Sequence, residues 1–155
     1  MLLVPRRRQP DPIACLPTCI WSVLTFQGNT VDYEEVVAAC RLDWRGAVLE
    51  LAIQSLREAG WDVEVVSELD MEQVRAALAE DRPLIASMLP EEAVGDLVTH
   101  AIVICGLSDE TITVMDPLLG DYVSLPLAEA AEELHLRFSR GLFIAGIPEH
   151  LDTNA

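Results

Sequence analysis

The sequence contains no lysine. Its ten basic residues are all arginine, set against 26 Asp and Glu, for a formal charge of −16. A surface of that sign repels nucleic acid and anionic lipid headgroups, so neither nucleic acid nor membrane is an expected partner. Arg6-Arg7-Arg8 is the local exception, and a solvated N-terminal arm is the simplest reading of it. Long apolar runs are also missing. Hydrophobic residues make up 51% of the chain, yet no stretch approaches the roughly 20 residues that span a bilayer. The first eight residues place their charges after a very short apolar piece, the reverse of a secretory signal, and a cytoplasmic protein is expected. No Cys-x-x-Cys pair occurs among Cys15, Cys19, Cys40 and Cys105. The usual zinc and thioredoxin-like spacings are therefore absent, and in an intracellular chain the even count implies no disulfide framework. Repeats, low-complexity tracts and Gly/Ser linkers are absent too. A chain of 155 residues supports one domain with a real core. The expected division is an arm over 1–8, a single domain over 9–147 and a frayed tail over 148–155.

What is present begins with Gln9-Pro-Asp-Pro-Ile-Ala-Cys15-Leu-Pro17. Pro-Asp-Pro holds the backbone extended, and Pro17 is tolerated in a first helical turn, where its missing N–H costs nothing. Ile20, Val23, Leu24 and Phe26 then recur at helical spacing until Gly28-Asn29. Cys15 thus lies where a buried helix starts, facing unpaired N–H groups and the positive end of the helix dipole. Both favour the thiolate, the nucleophilic form.

Further along, Asp32 and Glu35 have the spacing of a capping box ahead of a short helix with Val36, Val37 and Cys40 on its apolar side. The spacing predicts a third helix over Ala47–Ala59, with Leu49, Ile53 and Leu56 inward and Gly60 as its stop. Alternation at 61–65 predicts a strand. Asp70 and Gln73 open a helix running to Asp81, and Pro83–Met88 reads as a buried strand. After an acidic, irregular 90–99 come strands over His100–Leu107, Thr111–Pro117 and Tyr122–Leu125, a helix over Leu127–Arg137 and a closing strand over Gly141–Ile147. Helices early and antiparallel strands late give an α+β class.

His100 opens one central strand and Asp116 ends the next. A register that sets His100 opposite Asp116 also pairs Ile102 with Val114 and Ile104 with Ile112, the more apolar side of the second strand. Directly opposed side chains come within about 5 Å at Cβ, close enough for a carboxylate to hold an imidazole. A slip of one residue would separate them onto opposite faces. A nucleophilic thiol (Cys15), a base (His100), its orienting carboxylate (Asp116) and an amide to receive an oxyanion (Gln9) make a thiol acyl-transfer site. Such a site needs no metal or organic cofactor. Cys19, one turn along from Cys15, reads as a small buried residue beneath the site. A resolving thiol or a metal pair with His100 is disfavoured, because a helix holds residues i and i+4 apart. Cys40 and Cys105 lie in apolar runs and are expected to be buried. His135 and His150 read as surface residues.

The ordered set Gln9-x5-Cys15, Thr99-His100-Ala101-Ile102-Val103 and Val114-Met115-Asp116-Pro117 resembles papain-like cysteine peptidases of the bacteriocin-processing type. These are the double-glycine leader peptidases and their stand-alone relatives. The resemblance runs from about Gln9 to Ile147 and includes the helix from Asp70 with Arg82-Pro83-Leu84-Ile85. It implies a papain-like fold, hydrolysis of a peptide or isopeptide bond, and a peptide or protein substrate. It carries over Gln9 as oxyanion residue, Cys15 as nucleophile, His100 as base and Asp116 as orienter. Two positions depart from the family pattern: Ala14 stands where Asp is usual and Leu16 where Gly is usual. A leucine there is expected to crowd an approaching substrate backbone or to forbid a positive φ.

Two other readings keep the fold: a non-enzymatic binding module using the cleft, and a thiol acyltransferase with an amine as acceptor. The Ala14 and Leu16 departures favour the first, and the intact Gln, Cys, His and Asp oppose it. The second differs from hydrolysis only in the acceptor admitted. The acidic balance predicts a basic or neutral peptide partner.

Overall fold

A computed structural model of the chain describes residues 1–42, 47, 49–88, 100–130 and 140–145. The elements in order are α1 (Cys15–Phe26), α2 (Tyr33–Cys40), α3 (Leu49–Glu58), β1 (Asp62–Val66), α4 (Met71–Ala79), β2 (Leu84–Met88), β3 (His100–Leu107), β4 (Thr111–Asp116), β5 (Asp121–Pro126) and β6 (Arg140–Ala145). The strands form one antiparallel sheet of order β1-β6-β2-β3-β4-β5. The α+β class follows directly from the sequence pattern. The expected helix over Leu127–Arg137 starts on schedule, with 127–130 helical. Its remainder, the acidic stretch at 90–99, the tail over 148–155, His135 and His150 lie outside the described residues.

Strand residues alternate between two apolar layers, as a period of two requires. Val63, Ile85, Ala101, Val103, Met115 and Ile144 pack with Leu16, Ile20, Val23, Val36 and Leu56 from α1–α3. Leu84, Ala86, Ile102, Ile104, Ile112 and Val114 pack with Leu69 and Val74 on the other side, where α4 lies. The sheet is therefore covered on both faces. Its central strand β3 is buried from Ala101 to Gly106.

Helix boundaries follow local chemistry. The α4 capping box forms in full: the Gln73 N–H donates to Asp70 Oδ1 at 2.8 Å and the Asp70 N–H to Gln73 Oε1 at 2.9 Å. The box expected at Asp32 does not form. Asp32 is the N-cap residue, but its side chain makes no capping bond, and the Glu35 N–H bonds instead to the Asp32 carbonyl at 3.1 Å. Gly28, at φ +87°, closes α1 in a conformation that side chains disfavour.

Two further expectations are corrected. Ile104 faces Val114 rather than Ile112, and Val103 faces Met115. The register has thus slipped by two residues, and a bulge between Ile104 and Gly106 then brings Leu107 opposite Ile112. The arm over 1–8 is not solvated along its length. Val4 is fully buried, the Leu2 N–H donates to the Cys105 carbonyl at 2.7 Å, and the Arg7 guanidinium stacks 3.6 Å above the Trp21 ring of α1.

Candidate active site

Cys15 is the first residue of α1, and Ala14 stands at the N-cap without a side chain that caps. The helix start is aimed at the end of the sheet where β3 begins and β4 ends. His100 Nε2 lies 2.7 Å from Asp116 Oδ1, with both side chains largely buried. The carboxylate is an acceptor, so Nε2 carries the hydrogen and Nδ1 is left for the thiol. The Cys15 thiol hydrogen-bonds the His100 imidazole. The two-residue slip preserves this meeting because an even slip keeps both side chains on one face, where they approach diagonally instead of directly. Ile112 and Val114 belong to the face covered by α4, not the one covered by α1. The pair reaches Cys15 from the strand ends, not through the middle of the sheet.

Asp116 is itself held. Its Oδ1 accepts the Leu118 N–H at 3.0 Å, and its carbonyl accepts the Leu119 and Gly120 N–H groups, a tight turn joining β4 to β5.

The charges support one another. Burial works against the Cys15 thiolate, but the His100 hydrogen bond, the Ala101 N–H, the His100 charge and the Leu16 N–H outweigh it and hold the thiol below its ordinary value. Burial likewise works against the His100 cation. The Asp116 and Cys15 hydrogen bonds and charges overcome it and raise the imidazole to about 9. Asp116 is lowered despite burial, by the His100 hydrogen bond, the Leu118 N–H and the His100 charge. His100 is thus held protonated at neutral pH beside the Asp116 carboxylate, and its charge and hydrogen bond favour the Cys15 thiolate.

The other thiols are of a different kind. Burial pushes Cys19 well up, Cys40 to about 12 and Cys105 to about 11. Cys19 is fully buried and donates to the Ala101 carbonyl at 3.4 Å. It lies beneath the site as a protonated packing residue. None of the four cysteines is in a disulfide.

Gln9 lies against the same strand end. Its main-chain N–H donates to the Pro117 carbonyl at 2.7 Å, and its Nε2 donates one hydrogen to the Asp11 carbonyl at 2.8 Å. The second Nε2 hydrogen remains for another acceptor. Oε1 is buried and has no partner among the described residues.

The two departures from the family pattern have a simple resolution. Leu16 is only 6% exposed and packs into the core among the α1–α3 residues. Ala14 is fully buried, and neither residue has a positive φ. The expectation that Leu16 crowds the approach to Cys15 is therefore corrected, because its side chain turns inward. Among the described residues no group of three or more His, Cys, Asp or Glu lies close enough to hold a metal ion. Nor is any helix among them long and apolar enough to cross a membrane.

A helix-borne thiol set against a sheet-borne imidazole and carboxylate defines a papain-like cysteine peptidase. Residues 1–138 match the model of the Peptidase_C39 like family, and the chain belongs to that family. The fold agrees with solved structures. The peptidase domain of Streptococcus ComA, a bi-functional ABC transporter of a quorum-sensing pathway, superposes with TM-score 0.69 at 17% identity, over 90% of this chain and 96% of that one. A protein from Bacillus anthracis described as a C39-like peptidase gives TM-score 0.71 at 14% identity, over 92% and 94%. A double-glycine-motif protease from an AMS/PCAT transporter, solved with its leader peptide, gives 0.65 at 18%, over 90% and 89%. No curated protein matches the sequence.

Proposed function

We propose that this chain hydrolyses a peptide or isopeptide bond with Cys15 as nucleophile, His100 as general base and acid, Asp116 as orienter and Gln9 as oxyanion donor. The hydrogen-bonded line from thiol to imidazole to carboxylate carries this reading, since it prepares the nucleophile and the proton donor together. The Cys15 thiolate attacks the carbonyl carbon. The Gln9 amide and the Cys15 main-chain N–H receive the negative oxygen. Imidazolium Nδ1–H protonates the leaving amine as the C–N bond breaks, giving an acyl-thioester. Nδ1 then takes a proton from water, the hydroxyl adds to the thioester, and the acid leaves as Cys15 is restored. With Nε2–H held by Asp116, the ring keeps one tautomer through both steps.

The burial of Leu16 supports hydrolysis over a non-enzymatic binding module, since its side chain is turned away from the approach to Cys15. The substrate class is a peptide, and the leader-peptide complex of one structural relative supports that choice. The experiment is digestion of a peptide mixture by the wild-type chain and by Cys15→Ala, with products read by mass spectrometry. Hydrolysis predicts fragments with free carboxylates that vanish with Cys15→Ala. Fragments capped by added glycinamide, with no free acid, would reassign the chain as an acyltransferase. No cleavage by either protein would overturn the reading.

A further inference from the structure

Residues 1–8 cross the molecule as a strap with several separate fastenings. Met1 lies over Gly106, where an added Cβ would stand 3.2 Å from its Cγ. Next to it, Cys105, the residue at the β3 bulge, gives its carbonyl to the Leu2 N–H at 2.7 Å. Val4 is fully buried, and its carbonyl accepts the Tyr122 hydroxyl of β5 at 2.5 Å. Arg7 stacks on Trp21 of α1, the helix that begins with Cys15. Arg8 lies so close to the β4–β5 turn that a Cβ at Gly120 would meet its Cβ at 2.8 Å and its main-chain Cα and N at 3.1 Å. The following residue is Gln9, bonded to the Pro117 carbonyl.

We propose that this strap sets Gln9 against the end of β4, and that the Tyr122 hydroxyl is a positioning group that keeps it there. The proposal rests on the reading of Gln9 as oxyanion donor. An oxyanion donor works only when fixed before the charge develops, and a misplacement of about 1 Å is enough to lose most of its effect. Gln9 belongs to no helix or strand, so its position is set by the fastenings on either side of it. Tyr122 holds the strap five residues before Gln9 without being close to it in sequence, and Gly120 leaves the room through which Arg8 passes. Asp116 lies in the same turn, so one short segment sets both the carboxylate and the amide.

The test compares two reactions of Cys15. In acylation by 4-nitrophenyl acetate, the thiolate attacks the ester carbonyl, an oxyanion forms and 4-nitrophenolate leaves. Alkylation by iodoacetamide displaces iodide and forms no oxyanion. Tyr122→Phe keeps the ring and removes only the hydroxyl. It is expected to slow acylation about fivefold, the scale of one hydrogen bond, while the alkylation rate and its pH profile stay unchanged. In a Gln9→Ala background, which itself slows acylation, the same substitution adds no further loss, because the two residues act as one unit. Arg7→Ala, which removes the strap's stack on Trp21, gives the same signature and stands in if Tyr122→Phe does not fold. Equal slowing of both reactions, or full additivity with Gln9→Ala, would overturn the proposal. A wild-type burst that Tyr122→Phe and Arg7→Ala leave untouched sinks the strap alone. A wild-type Cys15 that acylates no faster than a free thiol sinks the hydrolase reading and the strap with it.

Discussion

Cys15 and Leu16 are neighbours in the chain with opposite surroundings. One lies half-buried at the site among groups that favour a negative charge, and the other turns into the core. Restoring glycine at position 16 therefore has a cost and no catalytic return. Leu16→Ala is expected to lose about 2–5 kcal/mol, as large-to-small changes in packed cores do, and Leu16→Gly more, with no gain in cleavage; chemical denaturation and peptide assays check both. The same locality explains why this side chain was misread from sequence. The motif alone locates Leu16 next to the nucleophile, and only the helix phase says which way it points.

The pH dependence of the pair is also a residue-scale matter. His100 is raised to about 9 by partners it has only when folded. Its protonated form therefore contributes stability fully below the unfolded value of about 6.5, and that contribution is lost as pH rises through about 9. Asp116, lowered in the fold, contributes above the ordinary carboxylate value and loses its part as pH falls through its lowered one. The melting-temperature gap between wild type and His100→Gln should accordingly be wide at neutral pH and narrow above the His100 value. A constant gap would show that His100 does not carry this linkage. Asp116→Asn keeps an acceptor for Nε2–H but removes the charge, so the alkaline limb of activity moves to lower pH.

At the scale of elements, the two capping sequences separate pattern from contact. Asp70 and Gln73 exchange both bonds of the box, whereas Asp32 makes none. Asp70→Ala is expected to cost about 1 kcal/mol and Asp32→Ala a few tenths at most, by thermal or urea unfolding. Neither should alter cleavage, since neither residue belongs to the proposed catalytic set. Strand β1 was legible from alternation and β2 from its apolar run, and β3 from His100 to Leu107 was bounded correctly because polar residues flank a continuous apolar run. The register was not legible. Cys105 carries no turn chemistry that marks a bulge, and Ile104 fits opposite Ile112 as well as it fits opposite Val114. Asp116 and His100 survived that error because the slip was even.

At the scale of the whole molecule, two features escaped the sequence for one reason: both join residues far apart in the chain. β6 inserts between β1 and β2, and the arm closes over β3 and β5. No local pattern near Val4 points to Tyr122. Net charge, by contrast, is a global property that the composition states outright. At −16, encounter with a basic peptide is steered and screened by salt. The kcat/KM for a basic substrate is expected to fall between low and physiological ionic strength, while that for a neutral analogue of the same sequence stays level. Equal salt response for the two would remove long-range charge from the account of substrate choice.

The proposed mechanism turns on a Cys15 thiolate prepared by His100. The rate of iodoacetamide alkylation against pH, resolved for all four cysteines by peptide mass spectrometry, tests it most directly when run beside His100→Ala. Fast labelling of Cys15 alone is expected, with an apparent pKa below the ordinary thiol value of about 8.5, and a rise of that pKa in His100→Ala. Cys19, Cys40 and Cys105 stay unlabelled in the folded protein. A Cys15 that reacts no faster than a simple thiol, or whose profile His100→Ala leaves unmoved, would contradict it.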